Sequence, residues 1–169
     1  GDGFARGEGV STLAIRGGAV LVGMRGSAVR QDGRSASLTA PNGQAQKGLL
    51  RAVLTDANMA ADALTLNEAH GTGTVLGDPI EVGSTVSAVL GTQRRAHILV
   101  FGGVKSTLGH GESTAGATGL LKLAIGLGSA KVGPNALLQT LNSHLSGSLR
   151  SASMVISSPS SSSAIGPPS

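Results

Sequence analysis

Two segments of the chain follow the same order, in which a short apolar run leads through a histidine-bearing loop into a helix-like stretch. In the first, ALTLNEAH (63–70) precedes GTGT and a helix start at DPIE (78–81). In the second, HILVFGGVKS (97–106) precedes LGH and the small, apolar stretch 111–128. Alternation of strands and helices is typical of α/β domains. The sequence therefore predicts an α/β domain whose loops of chemical interest follow the ends of strands.

Two further periodic regions extend this prediction. Residues 10–16 and 19–29 read as strands, the second rich in Val, and Gly17-Gly18 separates them, so a hairpin is expected. Residues 41–59 carry Leu, Val and Ala at helical spacing, which predicts an amphipathic helix.

Local signals set the boundaries of elements and of the domain. Asp78 is predicted to cap a helix with Pro at its first position and Glu81 three residues after the cap, and Gly91 to end it. Residues 1–145 are predicted to form one domain, since 169 residues suffice for about one. Residues 146–169 are rich in Ser and Pro and are expected to be poorly ordered and to contribute little to the fold.

Composition argues against several kinds of protein. The chain has no cysteine, which removes disulfides, thiolate metal sites and a cysteine nucleophile together. Its formal net charge is +4, yet Lys and Arg are scattered and the only aromatics are Phe4 and Phe101, so nucleic-acid binding is not expected. No apolar run approaches the ~20 residues of a membrane span, and a soluble protein, cytoplasmic or organellar, is expected. Because the sequence begins at Gly1, a processed product or a fragment is expected.

The residues that can carry chemistry lie in EAHGTGT (68–74) and VKSTLGHGE (104–112), each with a histidine where a loop leaves a predicted strand. Two neutral imidazoles can each donate a hydrogen bond to an oxyanion, and Thr72 and Thr74 supply hydroxyls for a polar substrate arm. We expect His70 and His110 to lie close together at the ends of adjacent strands.

A plainer interpretation of the same loops stays open. The glycines can serve only to permit positive φ, and each histidine can satisfy a buried carbonyl. Lys105 and Glu112 bracket His110, and a salt bridge between them that holds the loop is the expected role of this pair, ahead of direct proton transfer.

Other motif classes fit less well. GDGFARGEG lacks the spacing of a dinucleotide-binding loop, and FGGVKST lacks that of a phosphate-binding loop. No pair of histidines has the spacing of a helical metal site, so no metal is expected. No serine lies in a G-x-S-x-G elbow, which argues against a hydrolase triad.

Several stretches together resemble the C-terminal half of a β-ketoacyl synthase, the ketosynthase domain of polyketide and fatty acid synthases. They occur in family order, and HGTGT followed by VKS-x-x-GH-x-E is the most specific combination. The matching stretches are DGFARGEG (2–9), RGSAVRQDGRSASLTAPNG (25–43), EAHGTGTVLGDPIE (68–81), GGVKSTLGHGESTAG (102–116) and GPNALLQTLNSHL (133–145). The resemblance implies a thiolase-like α/β fold, C-terminal half only, with a mixed sheet, packed helices and incomplete αβαβα layers.

The resemblance also implies an activity. The family condenses an acyl chain with a malonyl unit on an acyl carrier protein, with loss of carbon dioxide. His70 and His110 resemble the two histidines that stabilise the enolate and oxyanion, and Lys105 with Glu112 the pair that orients the site. Thr72 and Thr74 resemble the threonines that line the channel for the carrier protein's phosphopantetheine, which is a substrate arm; no bound cofactor is implied.

Departures from the family pattern leave two hypotheses. The family's nucleophilic cysteine and its closing GFGGTNAH-like segment are not in the sequence. The first hypothesis is a ketosynthase fragment or subunit that is inactive alone and depends on a cysteine-bearing N-terminal half. The second is a non-catalytic structural or interaction subunit derived from such a domain. A bare half-domain would expose a large apolar patch, so the N-terminal half, a second copy of the chain or a larger assembly is expected to cover it.

Overall fold

Three short parallel strands form the centre of the fold in this computed structural model. It describes residues 5–12, 14, 22–35, 37, 40–90, 97–135, 143–145 and 154–156. The strands are β1 (Leu66–Glu68), β2 (Leu99–Gly102) and β3 (Met154–Ile156), in the spatial order β1-β2-β3. The described helices are α1 (Gly43–Asp56), α2 (Gly77–Thr85), α3 (Lys105–Leu108) and α4 (Ala115–Ser129). The α/β class predicted from the sequence is confirmed.

The register of the sheet brings the two histidine loops to one edge. β1 pairs with β2 in parallel, with Leu66 opposite Val100 and Glu68 opposite Gly102. The amide of Ala69 extends the ladder by donating to the carbonyl of Gly102, at 2.8 Å. Because both strands run in the same direction, the chain leaves both of them at the same side of the sheet.

The predicted hairpin is wrong for the part of it that the structure describes. Residues 10–12, 14 and 22–29 contain no strand, and residues 15–21 lie outside the described residues. The side chain of Val29 is 98% exposed, so its β-branched shape packs against no neighbouring strand. Both strand pairs in the described part of the chain are parallel.

Helix α1 confirms the amphipathic helix predicted over 41–59 and shows how it begins. Asn42 caps it, with its side-chain Oδ1 accepting from the amides of Gln44 and Ala45 at 3.0 and 3.2 Å. The side-chain amide of Asn42 donates to the carbonyls of Asp32 and Arg34, at 2.7 and 3.1 Å. One side chain therefore starts the helix and anchors the preceding loop.

Helix α2 starts differently from the prediction. It begins at Gly77, so Asp78 lies inside its first turn, where its carboxylate accepts from the amide of Gly73 at 3.1 Å. The predicted cap is wrong because the carboxylates of Asp78 and Glu81 accept hydrogen bonds from backbone amides of the loop before the helix. A π-helical turn, Val86–Leu90, follows α2 and ends just before the predicted stop at Gly91, which lies outside the described residues.

The core lies between the sheet and α1 and α2. Leu99 in β2 is fully buried, with 0% exposure, and Phe101 lies beside it on the same face. The buried cluster is Leu54, Val82, Val89, Leu90, Leu99, Phe101 and Leu145. Alternate residues of a strand point to the same face, which is why Leu99 and Phe101 share this core.

One part of the Ser/Pro-rich tail contributes to the sheet, contrary to the expectation. Met154, Val155 and Ile156 form β3 and pair with Leu99–Phe101 of β2. Ile156 packs against the core, and apolar β-branched residues such as Val and Ile favour a strand even within a polar tail. The rest of 146–169 lies outside the described residues.

Helix α4 confirms the small, apolar helix predicted after the second loop. Ala115 and Gly119 are buried, whereas Leu120, Ile125 and Leu127 are exposed, Ile125 to 70%. Within the described ranges, no helix combines the length and the apolar character needed to cross a membrane.

We predict that Leu99→Ala lowers the free energy of unfolding by about 2–5 kcal/mol, because it leaves a cavity at a fully buried position. Urea denaturation measures the change. The control is Ile98→Ala at the adjacent, 56% exposed residue, where the expected change is within about 0.5 kcal/mol. Equal losses for the two variants would contradict the described placement of β2.

Candidate active site

His70 and His110 meet at the edge of the sheet where β1 and β2 end. Their ring centroids are 5.3 Å apart, and the rings lie edge to face at 88°. His70 is two residues beyond β1, and His110 follows α3 after β2. The prediction that two residues forty positions apart lie close together is confirmed. This arrangement favours a site with two imidazoles over two separate loop-closing histidines.

Glu81 of α2 fixes the loop that carries His70. Its carboxylate accepts from the amides of His70 and Gly71, at 2.5 and 2.8 Å. Hydrogen bonds from backbone amides to an ionised carboxylate are among the stronger ones in proteins. The sequence interpretation gave Glu81 only a capping role and missed this one. The sequence indicates this contact only through the position of Glu81, eleven residues after His70 on the helix that follows the loop.

A segment near the start of the chain fixes the backbone of His110. The amide of His110 donates to the carbonyl of Ala5 at 2.7 Å, and the amide of Gly7 donates to the carbonyl of His110 at 3.0 Å. Gly109 adopts φ +79°, and a side chain there would lie 3.1 Å from the carbonyl oxygens of Ala5 and Arg6. The close approach of the two segments therefore requires glycine at 109.

The hydrogen bonding of His110 selects one tautomer of its ring. The amide of Glu112 donates to Nδ1 of His110 at 3.3 Å. An imidazole nitrogen that accepts a hydrogen bond carries no proton, so the neutral ring carries its proton on Nε2. His110 can thus present an Nε2–H donor without being charged.

The expected ion pair between Lys105 and Glu112 is wrong. Glu112 instead lies 3.8 Å from Arg6, in a pair whose side chains are both largely exposed. Lys105 interacts electrostatically with Glu81 and Glu68, which raises its pKa, although burial has the larger effect and lowers it. The physical reason is that Glu112 turns outward with φ +47°, while Lys105 lies at the start of α3 beside the ends of the strands.

The surroundings of His70 favour the neutral form of its ring. Burial lowers the pKa of His70 below its usual 6.5, and the charge of Lys105 lowers it further, against an opposing effect of Glu81. Burial also raises the pKa of the nearby Asp78 carboxyl. The ring of His70 is therefore suited to donate a hydrogen bond to a developing negative charge.

Thr72 and Thr74 line a groove of about 410 Å³ beside His70. α1 supplies apolar wall residues, Leu49 and Leu50 among them. The hydroxyl oxygen of Thr74 also accepts from the amide of Gly77 at 3.1 Å, which ties it to the start of α2. The groove thus combines hydroxyls with an aliphatic wall, as an extended and partly polar ligand requires.

Asn135 and Glu68 are further residues that the sequence interpretation did not place in the site. Asn135 is buried, and its Oδ1 accepts from the amide of Gly103 at 2.6 Å, which anchors the loop after β2. Glu68 accepts from the amide of Val104 in the same loop. Their partners are more than thirty residues away, so no local pattern reveals these bonds.

The chain is similar to a β-ketoacyl synthase family model and to polyketide synthases. Residues 21–139 match the family model described as the β-ketoacyl synthase C-terminal domain. The chain is 42% identical, over 85% of its length, to one component of the phenolphthiocerol/phthiocerol polyketide synthase of Mycobacterium tuberculosis. It is 36% identical, also over 85% of its length, to the highly reducing polyketide synthase azaB of Aspergillus niger. It spans only 8% and 6% of those two proteins.

Solved structures show the same likeness. An oxazolomycin ketosynthase domain of Streptomyces albus matches 89% of this chain with a TM-score of 0.80 and 32% identity. The ketosynthase from module 6 of the bacillaene synthase of Bacillus subtilis matches 80% with a TM-score of 0.73 and 27% identity. The chain covers 26% and 24% of those structures, respectively.

We predict that Lys105→Met raises the pKa of His70, because the substitution removes a positive charge that disfavours the protonated ring. Titration of the histidine ring signals by NMR measures the change. Lys131→Met, at an exposed lysine beyond α4, is the matched control and leaves the His70 titration unchanged. An unchanged or lower pKa in the Lys105 variant would contradict the electrostatic arrangement described above.

Proposed function

Because the chain belongs to the β-ketoacyl synthase family, as the C-terminal domain of a polyketide synthase ketosynthase, we propose that it supplies the histidine part of a decarboxylating condensation site. The observation that carries this proposal is the edge-to-face packing of His70 and His110, with centroids 5.3 Å apart where β1 and β2 end. Two imidazole donors at one point suit the stabilisation of a single oxyanion.

The proposed first step is decarboxylation of a malonyl thioester. The bond between the α-carbon and the carboxylate breaks, carbon dioxide leaves, and the electron pair moves into an enolate whose negative charge lies on the thioester oxygen. The ring N–H groups of His70 and His110 donate hydrogen bonds to that oxygen. Removal of one such donor from an oxyanion site costs about 100-fold to 1,000-fold in rate.

The second step joins the two substrates. The enolate carbon attacks the carbonyl of an acyl thioester, a carbon–carbon bond forms, and the thiolate that carried the acyl group leaves with the displaced electron pair. That thiolate belongs to a cysteine, and this sequence contains none. The acyl group is therefore held outside the chain, and we infer that the chain alone forms no acyl-enzyme.

The other site residues have supporting parts in this proposal. Burial and the positive charge of Lys105 both lower the pKa of His70 and so favour its neutral ring. The backbone amide of Glu112 donates to Nδ1 of His110 and so favours the tautomer with its proton on Nε2. The carboxylate of Glu112 lies near Arg6 and does not pair with Lys105. Thr72 and Thr74 contact the phosphopantetheine arm of an acyl carrier protein in the groove beside His70, which pairs hydroxyls with an aliphatic wall.

The partner in this proposal is the cysteine-bearing remainder of a ketosynthase. The chain spans about a quarter of the solved ketosynthases it matches. Leu120, Ile125 and Leu127 of α4 are exposed, and a second protein surface that covers them removes apolar area from water. Assembly as a homodimer or within a larger complex also covers these apolar side chains.

The second candidate function is a structural or interaction subunit without catalysis. The specific observation in its favour is that the sequence has no cysteine. Under this hypothesis the exposed face of α4 still binds a partner, but His70 and His110 have no effect on any turnover. The two hypotheses therefore differ in a measurable result.

We predict that the purified chain forms no covalent adduct with an acyl thioester, as measured by mass spectrometry of the intact protein. Mixed with a separately produced ketosynthase fragment that carries the cysteine, it is expected to support acylation of that fragment only. An adduct on the chain itself would contradict the proposal, because a nucleophile would then lie within it.

We further predict that His70→Ala and His110→Ala each lower the release of carbon dioxide from a malonyl thioester by about 100-fold or more in the same mixture. His144→Ala, at an exposed histidine to which the proposal gives no role, is the matched control and is expected to retain the rate. A mixture that assembles but shows no dependence on His70 or His110 would favour the structural hypothesis.

A further inference from the structure

Glu68, the last residue of β1, holds a buried carboxylate that connects three parts of the fold. Its side chain is 5% exposed, and its Oε2 lies 2.8 Å from Nζ of Lys122 in α4. Its Oε1 accepts from the amide of Val104, the residue that precedes α3. One carboxylate thus joins the strand before His70 to α4 and to the start of the helix that begins with Lys105.

Two glycines make room for this ion pair. Gly102 is opposite Glu68 in the sheet, and a side chain at Gly102 would collide with Glu68 Oε2 and lie 2.9 Å from Lys122 Nζ. On the other side, a side chain at the buried Gly119 of α4 would lie 3.3 Å from Cγ of Glu68. The pair therefore fits a space that the surrounding backbone leaves for it.

Stability alone does not account for a charged pair at this position. Removing two charges from water costs free energy that their attraction only partly restores, and apolar residues of similar volume are often as stable or more so. α4 is otherwise small and apolar, and Lys122 is the only charged residue in it. A role in geometry explains a pair that contacts the backbone leading into Lys105.

The charges around Lys105 agree with this role. Glu68 from β1 and Glu81 from α2 both raise the pKa of Lys105, while burial lowers it. Lys105 in turn lowers the pKa of His70. Glu68 is thus connected to the histidines through Lys105, and it is connected to α3 through the amide of Val104.

We propose that Glu68 is a positioning residue that holds Lys105 and the start of α3 in place relative to His70, with Lys122 as its counter-ion. Glu68 lines the groove beside His70, but the proposed function gives neither Glu68 nor Lys122 a contact with substrate. The effect of Glu68 on catalysis rests on the proposed function. Its effect on the position of Lys105 does not, and it is tested without measuring activity.

The test compares two variants of the whole chain that keep the size of the side chain. Glu68→Gln retains an oxygen that accepts from Val104 but removes the charge, whereas Lys122→Met removes the counter-ion and leaves the carboxylate. NMR titration of labelled lysine ε-carbons measures the pKa of Lys105. Glu68→Gln is expected to lower the pKa of Lys105, and Lys122→Met is expected not to lower it. A role in packing alone would disturb Lys105 equally in both variants, and equal shifts, or no shift in Glu68→Gln, would overturn the proposal.

A measurement on the unaltered chain decides the matter if either variant fails to fold. The amide proton of Val104 is expected to resonate downfield and to exchange slowly with solvent, because it donates to a buried carboxylate. Exchange at the rate of an unstructured peptide would overturn the proposal.

The mixture with the cysteine-bearing fragment separates this inference from the proposed function. Glu68→Gln is expected to lower carbon dioxide release about tenfold or more through misplacement of the site. A full rate in Glu68→Gln, with loss in His70→Ala, would overturn the positioning role and leave the histidine function standing. A full rate in His70→Ala would overturn both.

Discussion

The parallel pairing of β1 with β2, with Glu68 opposite Gly102, places every part of the site. Because the strands share a direction, both continue into loops at the same edge, and His70 and His110 meet there although they are forty positions apart. The core beneath, centred on the buried Leu99, supports this edge from one face of the sheet. A shift of the register by one residue would move Leu99 out of the core and Glu68 away from Gly102.

Acidic side chains hold this site together by binding backbone amides. Glu81 accepts from the amides of His70 and Gly71, Asp78 from that of Gly73, and Glu68 from that of Val104. A loop rich in glycine has few side chains with which to fix itself, so a carboxylate from a neighbouring element restrains it instead. Burial lowers the pKa of Lys105, and the negative charges of Glu81 and Glu68 oppose that effect.

Much of this fold could be predicted from sequence because its signals are local. Helical spacing predicted α1 and α4, apolar runs predicted β1 and β2, and the strand-to-loop order predicted the meeting of the histidines. The failures involve distant partners. The hairpin of residues 10–16 and 19–29 was expected from two short apolar runs separated by Gly17-Gly18. The capping role of Asp78 and the pairing of Lys105 with Glu112 were expected from sequence neighbours. The contacts of Asn135, Lys122 and Ala5 join residues far apart, which no periodic pattern encodes.

The pairing of residues 5–7 with the His110 loop limits where this domain can be cut without changing the surroundings of His110. Both histidines and Lys105 lie between residues 70 and 110, so a compact piece that starts at α1 would contain them all. Such a piece would lack the carbonyl of Ala5 and the amide of Gly7, the two groups that bind the backbone of His110. A segment that keeps these two hydrogen bonds therefore has to include Ala5. A segment that begins between Gly7 and α1 would contain both imidazoles but would lack the hydrogen bonds that Ala5 and Gly7 form with the backbone of His110.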